Sequence, residues 1–241
     1  FARTVRDEQQ ASNRPGRTER TRGAPPGVPT RPLTEYTYWI PFLTEHSRAF
    51  VGAFRSIGCN AILLPPTDYE SWNLGLSHAY GRECHPYISF LGDLLRASQR
   101  PDFDPRTACY YGPSYFGPCL LPQYMIAMKL VLDRLGLGDV SLINIADPPT
   151  MAPLGRGYIV RLGAGLYAID RLYKWRIESR PYEVVPGSVD QAFQEAVDLV
   201  EEGLAHRRLM DSLREAVSRM KSVRLEINGR ERPRVGVTGD T

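Results

Sequence analysis

Two cysteines thirty-five positions apart stand in similar local sequence, and a pair of thiols so placed could ligate a metal centre. Cys84 lies in Gly81-Arg82-Glu83-Cys84-His85-Pro86, and Cys119 lies in Gly117-Pro118-Cys119-Leu120-Leu121-Pro122. Behind the first, Tyr87, Ile88, Leu91, Leu94 and Leu95 recur every three to four residues. Behind the second, Met125, Ile126, Lys129, Leu130, Leu132 and Leu135 do the same. That period is one face of a helix, and proline fits the first helical turn because its missing N–H costs nothing there. Each cysteine is therefore expected just ahead of a proline-started helix. The unpaired N–H groups and positive dipole end of such a helix stabilise a thiolate or an anionic iron–sulfur cluster. Set against this, free cysteine is commonly a small buried hydrophobe, and two of four cysteines fall near helix starts by chance in many chains.

Other chemistry-bearing residues are weighed in the same way. Cys59 sits between a helix end and an apolar run, and Cys109 sits inside an apolar run, so both are expected in the core. Glu45 and His46 follow the first apolar run and are candidates for a ligand-binding edge; His85 adjoins Cys84, and Gln123 precedes the second helix. Asp68 and Glu70 carry acid/base chemistry in principle, but solvated loop carboxylates are the plainer account. The cysteines form no CxxC pair, which excludes the usual zinc-ribbon spacing and argues for reduced thiols. No Gly-rich phosphate loop ending in Lys-Ser/Thr and no nucleophile elbow is present.

The elements that must position these residues alternate. Tyr36–Ile40, Ala61–Leu64, Thr107–Tyr111 and Val140–Ile145 are short apolar or β-rich runs, each read as a strand. Between the first two, Thr44 offers an N-cap, Phe50, Val51, Phe54 and Ile57 make a helical stripe, and Gly58 ends it. A turn or two of helix is expected over 68–76, a helix from Pro86 to about Arg96, and another from Pro122 to Leu135. Strand, helix and strand in close succession predict right-handed βαβ units and a doubly wound, mostly parallel α/β sheet over residues 33–150. Ligands in such sheets sit beyond the carboxyl ends of the strands, which puts the loop of Cys119 on that edge. From 151 to 222 the chain reads as helical cover or linker, with stripes at Ile159, Leu162, Leu166, Ile169 and Tyr173, at Phe193, Ala196, Val197, Val200 and Leu204, and at Leu209, Leu213, Val217 and Met220. Ser188-Val189-Asp190-Gln191 matches a capping box. Residues 223–241 read as the start of a second α/β unit, and the chain as a fragment of something longer or part of an oligomer.

Residues 1–32 form a proline-rich basic linker, expected to be disordered because it holds almost no aliphatic surface to bury. Its seven arginines face Asp7, Glu8 and Glu19, so this stretch accounts for more than the whole net charge of +3. The remainder is near neutral, which argues against nucleic-acid binding. No apolar run approaches bilayer-spanning length and no secretory apolar core opens the chain, so a soluble cytoplasmic protein without membrane partners is expected.

Taken together, Trp39-Ile40-Pro41, Glu45-His46, Gly58, Leu64-Pro65-Pro66, the Cys84 motif with Gly92-Asp93, Gly117-Pro118-Cys119 with Gln123-Tyr124, and Arg180-Pro181-Tyr182-Glu183 resemble the 2-hydroxyacyl-CoA dehydratase superfamily. The resemblance is to the dehydratase-like segment of activase-related proteins, and it covers most of residues 36–241. It implies a [4Fe–4S] cluster with Cys84 and Cys119 at ligand positions, an acyl-CoA substrate, and an ATP-dependent activase domain or subunit that injects an electron. It further implies electron transfer linked to acyl-CoA dehydration, a lyase-type reaction. Two departures stand out: Tyr87 occupies a place where the family often carries a further cysteine, and Leu120-Leu121-Pro122 replaces Arg-Phe-Gly. The departures support an alternative, a cluster-free α/β module that binds acyl-CoA or a partner subunit as a scaffold.

Overall fold

The computed structural model of the chain describes residues 29–113, 118–144, 152–226 and positions 233, 235 and 236. The four apolar runs form β1 (Thr37–Ile40), β2 (Asn60–Leu63), β3 (Ala108–Gly112) and β4 (Ser141–Asn144). They pair in one sheet of order β2-β1-β3-β4, and every pairing is parallel. Parallel neighbours need crossovers. These are α1 (Ser47–Arg55), the pair α2 (Tyr69–Ser77) and α3 (His85–Ala97), and α4 (Tyr124–Arg134). The expected parallel α/β architecture is thus present.

Because both faces of the sheet are covered, strand side chains alternate between two apolar cores rather than between core and water. Trp39 and Tyr110 pack with Leu91 and Leu94 of α3 and Met128 and Leu132 of α4. Tyr38, Ile40, Cys109 and Tyr111 enter the opposite core with Phe54 of α1 and with Tyr158, and Cys59 is buried there too. Three further helices, α5 (Gly155–Ser179), α6 (Ser188–Ala205) and α7 (Leu209–Lys221), build a third core over Ala49 of α1 through Ile169, Phe193, Val197, Val200 and Leu204. The three helices between Gly155 and Lys221 are therefore cover for the α1 face.

Within the sheet's other cover, α2 and α3 touch backbone to backbone. A Cβ added at Gly92 would meet the Ser71 carbonyl oxygen at 1.8 Å, and one at Gly75 would meet that of Ile88 at 2.0 Å. The Gly92-Asp93 pair is thus fixed by packing on one side before any chemistry is asked of the other.

Several local expectations are corrected. Thr44 does not cap α1: its hydroxyl accepts from the His46 amide, and His46 itself precedes the first helical residue. The capping box at Ser188 is not formed; Gly187, at φ +86°, is the N-cap, and the Glu183 carboxylate accepts from the amides of Gly187 and Val189. A carboxylate from outside the helix outcompetes the local pattern, leaving the Ser188 hydroxyl buried without a partner. Ile126 and Leu130 of α4 and Leu135 just after it are exposed, as are Ile159 of α5 and Val217 of α7. On α4 the buried face is instead Tyr124, Met128, Val131 and Leu132, and Lys129 is buried because Asp133 and the Gly138 carbonyl take its ammonium. The expectation of disorder over 1–32 falls mostly outside the described residues, as does nearly all of the proposed second unit. Its first residues, Arg224 to Glu226, pair backbone with 182–184.

Candidate functional site

Cys84 is the N-cap of α3, with Pro86 in the first turn behind it. The turn that delivers it is closed from within. Gly81 takes φ +79°, a conformation that costs other residues, and the Glu83 carboxylate folds back to accept from the amides of Tyr80 and Arg82. Gly81-Arg82-Glu83 thus reads as a device for placing Cys84 at the head of the helix, half-buried beside the α3–α4 core.

The Cys84 thiol meets one hydroxyl, that of Tyr124, the first residue of α4. Tyr124 is held by Tyr87, edge-on at 5.4 Å between ring centroids, and by Phe90 at 6.1 Å. Burial raises the Tyr124 pKa well above the ordinary tyrosine value; the Cys84 hydrogen bond and the negative charges of Cys84 and Cys119 as thiolates push it the same way. Tyr124 therefore keeps its proton across the physiological range and is able to donate it to the Cys84 sulfur. Cys119 itself is exposed. It does not sit at the start of α4 as the matched sequence settings predict: Pro122 belongs to a 3-10 turn, Leu121–Gln123, that intervenes. Gln123 ends that turn as an exposed residue directly before Tyr124. Of the two cysteines only Cys84 caps a helix and hydrogen-bonds Tyr124, while Cys119 reaches that residue only through the effect of its charge.

The other candidates are elsewhere. His85 is exposed, its ring 5.8 Å from that of Trp72, whose buried Nε1–H has no partner. Glu45 and His46 lie on the α1 face, the opposite side of the sheet from α3 and α4. Glu45 pairs with Arg176 of α5 at 3.5 Å and accepts from Gln194 of α6, while His46 shares a hydrogen bond with Thr44 and faces the Tyr173 ring. Glu45 is a fastener between layers, which accounts for its partly buried charge.

At the other end of α3 the structure gathers a carboxyl and arginine cluster that the sequence reading named only in part. Asp93 is buried and accepts from the Thr67 hydroxyl at 2.6 Å; burial raises its pKa, opposed by bonds from Thr67 and Ser71. Asp68 caps α2 by accepting from the Ser71 amide at 2.8 Å and also binds Arg96 of α3, which together hold its pKa down at about 2. Arg96 reaches Glu70 as well, at 3.2 Å. Arg100 forks onto Asp102 and lies over the Trp39 ring. Asp68, Asp93, Arg96 and Arg100 line a cleft beside Leu64 and Pro65, just beyond the end of β2. Asp68 and Glu70 are accordingly neither free nor merely solvated. A raised carboxyl in a cleft is a signature of acid/base sites, yet every charged group here has its partner within the cluster.

Where β1 and β3 separate at the point of strand reversal, an apolar cleft is lined by Pro41, Leu43, Phe50 and Tyr111. Among the described residues its lining includes no carboxyl, imidazole or thiol. Among the described residues no set of three or more histidine, cysteine or acidic side chains is close enough to hold a metal ion, and no helix is long and apolar enough to cross a membrane. Comparison with protein-family models, curated proteins and solved structures finds no match to this chain.

Proposed function

We propose that the edge formed by Cys84, Tyr124 and Cys119 is a thiolate centre that contributes two ligands to an iron–sulfur cluster. On this reading the protein is a component of electron transfer linked to acyl-CoA dehydration, working with an ATP-dependent activase. The observation that carries the reading is the hydroxyl of Tyr124 held against the Cys84 sulfur at the head of α3. Thiolates suit iron–sulfur clusters, and hydrogen bonds to the ligating sulfur tune their potential. The fit is to half a site: of the four thiols among the described residues Cys84 and Cys119 would supply two ligands, and the others would have to come from outside those residues.

When bound, such a cluster supplies one-electron transfer at low potential. The chain's own contribution is to stabilise negative charge on sulfur. The start of α3 favours the Cys84 thiolate through its dipole, and Tyr124, kept protonated, donates to it. Exposure of Cys119 leaves its sulfur accessible to a metal or to an acceptor subunit.

Anaerobic reconstitution with iron and sulfide tests this. Bound iron and a brown visible absorbance band in the wild type, lost in Cys84→Ser and in Cys119→Ser but kept in Cys59→Ser, are expected. Absence of bound iron in the wild type supports the second reading, a cluster-free scaffold for acyl-CoA or a partner subunit, which the incomplete ligand set itself favours.

A further inference from the structure

On the α1 face, where α6 turns into α7, a cleft of about 370 Å³ is lined by Arg161, Arg207 and Arg208 together with Leu204, Leu209 and Met210. That volume falls within the ~300–1,000 Å³ of small-molecule sites. Nine other arginines of the described residues are ion-paired, yet none of these three forms a salt bridge. Two are nonetheless aimed. Arg161 donates through Nε to the Ser56 hydroxyl at 2.7 Å, and Arg207 donates through Nε and Nη2 to the Ser56 carbonyl at 3.0 and 2.8 Å. A guanidinium has five N–H donors, so each keeps most of its fork unspent. Arg208 has no side-chain hydrogen bond or ion pair and spends none of its five.

The backbone bears the mark of the same arrangement. Arg207 is the sole non-glycine at positive φ among the described residues, +58°, at the α6 terminus where glycine is usual. The Arg208 amide closes that terminus on the Gly203 carbonyl at 2.8 Å. Asp211 on the rim is already taken by Arg214. The first-turn amides of α7 at Leu209 and Met210 add donors at the same cleft, since the first N–H groups of a helix have no partner within it.

We propose that this cleft binds a phosphomonoester, its dianion taken by the free guanidinium N–H groups of Arg161, Arg207 and Arg208 and its organic body lying on Leu204, Leu209 and Met210. Guanidinium groups match phosphate oxygens in pairs, and the charge-assisted bonds so formed are the strong kind. The apolar half of the lining gives a phosphate carrying an organic group an advantage over the bare ion. This site is independent of the thiol edge.

Phenyl phosphate, inorganic phosphate and phenol, titrated calorimetrically into the full chain, test the proposal. Phenyl phosphate is expected to bind saturably at one site, more tightly than phosphate, with no binding of phenol. Arg208→Gln is expected to weaken it at least tenfold without moving the melting temperature of the free protein, and Arg208→Glu to abolish it. No saturable binding of phenyl phosphate, or equal binding by the wild type and both Arg208 variants, overturns the proposal. Binding of phosphate as tight as that of phenyl phosphate overturns the role given to the apolar lining.

Discussion

The two ends of α3 are both polar, and they differ in what is left over. At the C-terminal end Asp93, Asp68, Arg96 and Arg100 satisfy one another with Thr67, Ser71, Glu70 and Asp102, so that no charge is without a partner. At the N-terminal end the Cys84 thiol meets one hydroxyl, Cys119 is exposed, and the Trp72 Nε1–H has no acceptor. A satisfied cluster fastens the α2–α3 pair; an unsatisfied one has capacity for a ligand. The lesson is that a perturbed pKa alone does not pick the site, because Asp93 is perturbed and yet its bonds are closed.

The largest way to break this comparison is to separate the helices. Gly92→Ala puts a methyl where the Ser71 carbonyl stands, and overpacking of this kind costs about 1–3 kcal/mol or more. Chemical denaturation should show the loss, and the Cys84 thiol should react faster because the head of α3 shifts with the helix. An unchanged midpoint would mean that the close backbone contact is not what fixes α3.

The acid end should then show itself in the pH dependence of stability. Asp93, with a raised folded pKa, contributes stability that is fully present below the ordinary aspartate value and lost as pH rises through the raised one. Asp68, held at about 2, contributes stability present above the ordinary value and lost as pH falls toward 2. Denaturation midpoints measured from acid to neutral pH should accordingly change in opposite senses: Asp93→Asn removes the decline on the rising side, and Asp68→Asn removes the loss on the acid side and lowers stability at neutral pH. The same sense of change in both variants would contradict the assignment.

The smallest effect on stability is expected at the thiol end, where Tyr124→Phe deletes one hydrogen bond, about 0.5–1.5 kcal/mol. Its effect on reactivity should be specific. Alkylation of Cys84 at a fixed pH should change rate in the variant, since its sulfur loses the one hydroxyl it meets, while Cys59 stays unreactive in the core. If Cys84 is alkylated at the same rate in both proteins, Tyr124 is packing and nothing more.

Much of this arrangement was readable in the residues, for identifiable reasons. Buried parallel strands carry continuous apolar runs, so Tyr36–Ile40 and Ala61–Leu64 stood out, and the stripe Tyr87, Ile88, Leu91, Leu94 and Leu95 gave α3 correctly because packing and local period agree there. On α4 they disagree. Leucine and isoleucine at exposed positions imitated a core face, and Lys129, which the stripe included without a charge partner, is buried by virtue of Asp133 and Gly138. The equivalence of the two cysteines was legible only as composition: the same proline pattern opens an α-helix behind Cys84 and a 3-10 turn behind Cys119. Tyr124 entered the reading only as part of the Gln123-Tyr124 resemblance and not as a partner of Cys84, since an aromatic residue at a helix start is ordinary until its neighbour across the fold is known. Glu183 as the cap of α6 is a similar case, a contact that spacing within the helix could not announce.

The central claim is that Cys84 and Cys119 form one thiol centre around Tyr124, and a trivalent arsenical that must bind two thiols at once tests it most directly. Phenylarsine oxide is predicted to bind the wild-type chain with one-to-one stoichiometry and to lose that binding in Cys84→Ser and in Cys119→Ser, with Cys59→Ser and Cys109→Ser unaffected. Absence of stoichiometric binding in the folded wild type, or binding that survives loss of either Cys84 or Cys119, would contradict the account.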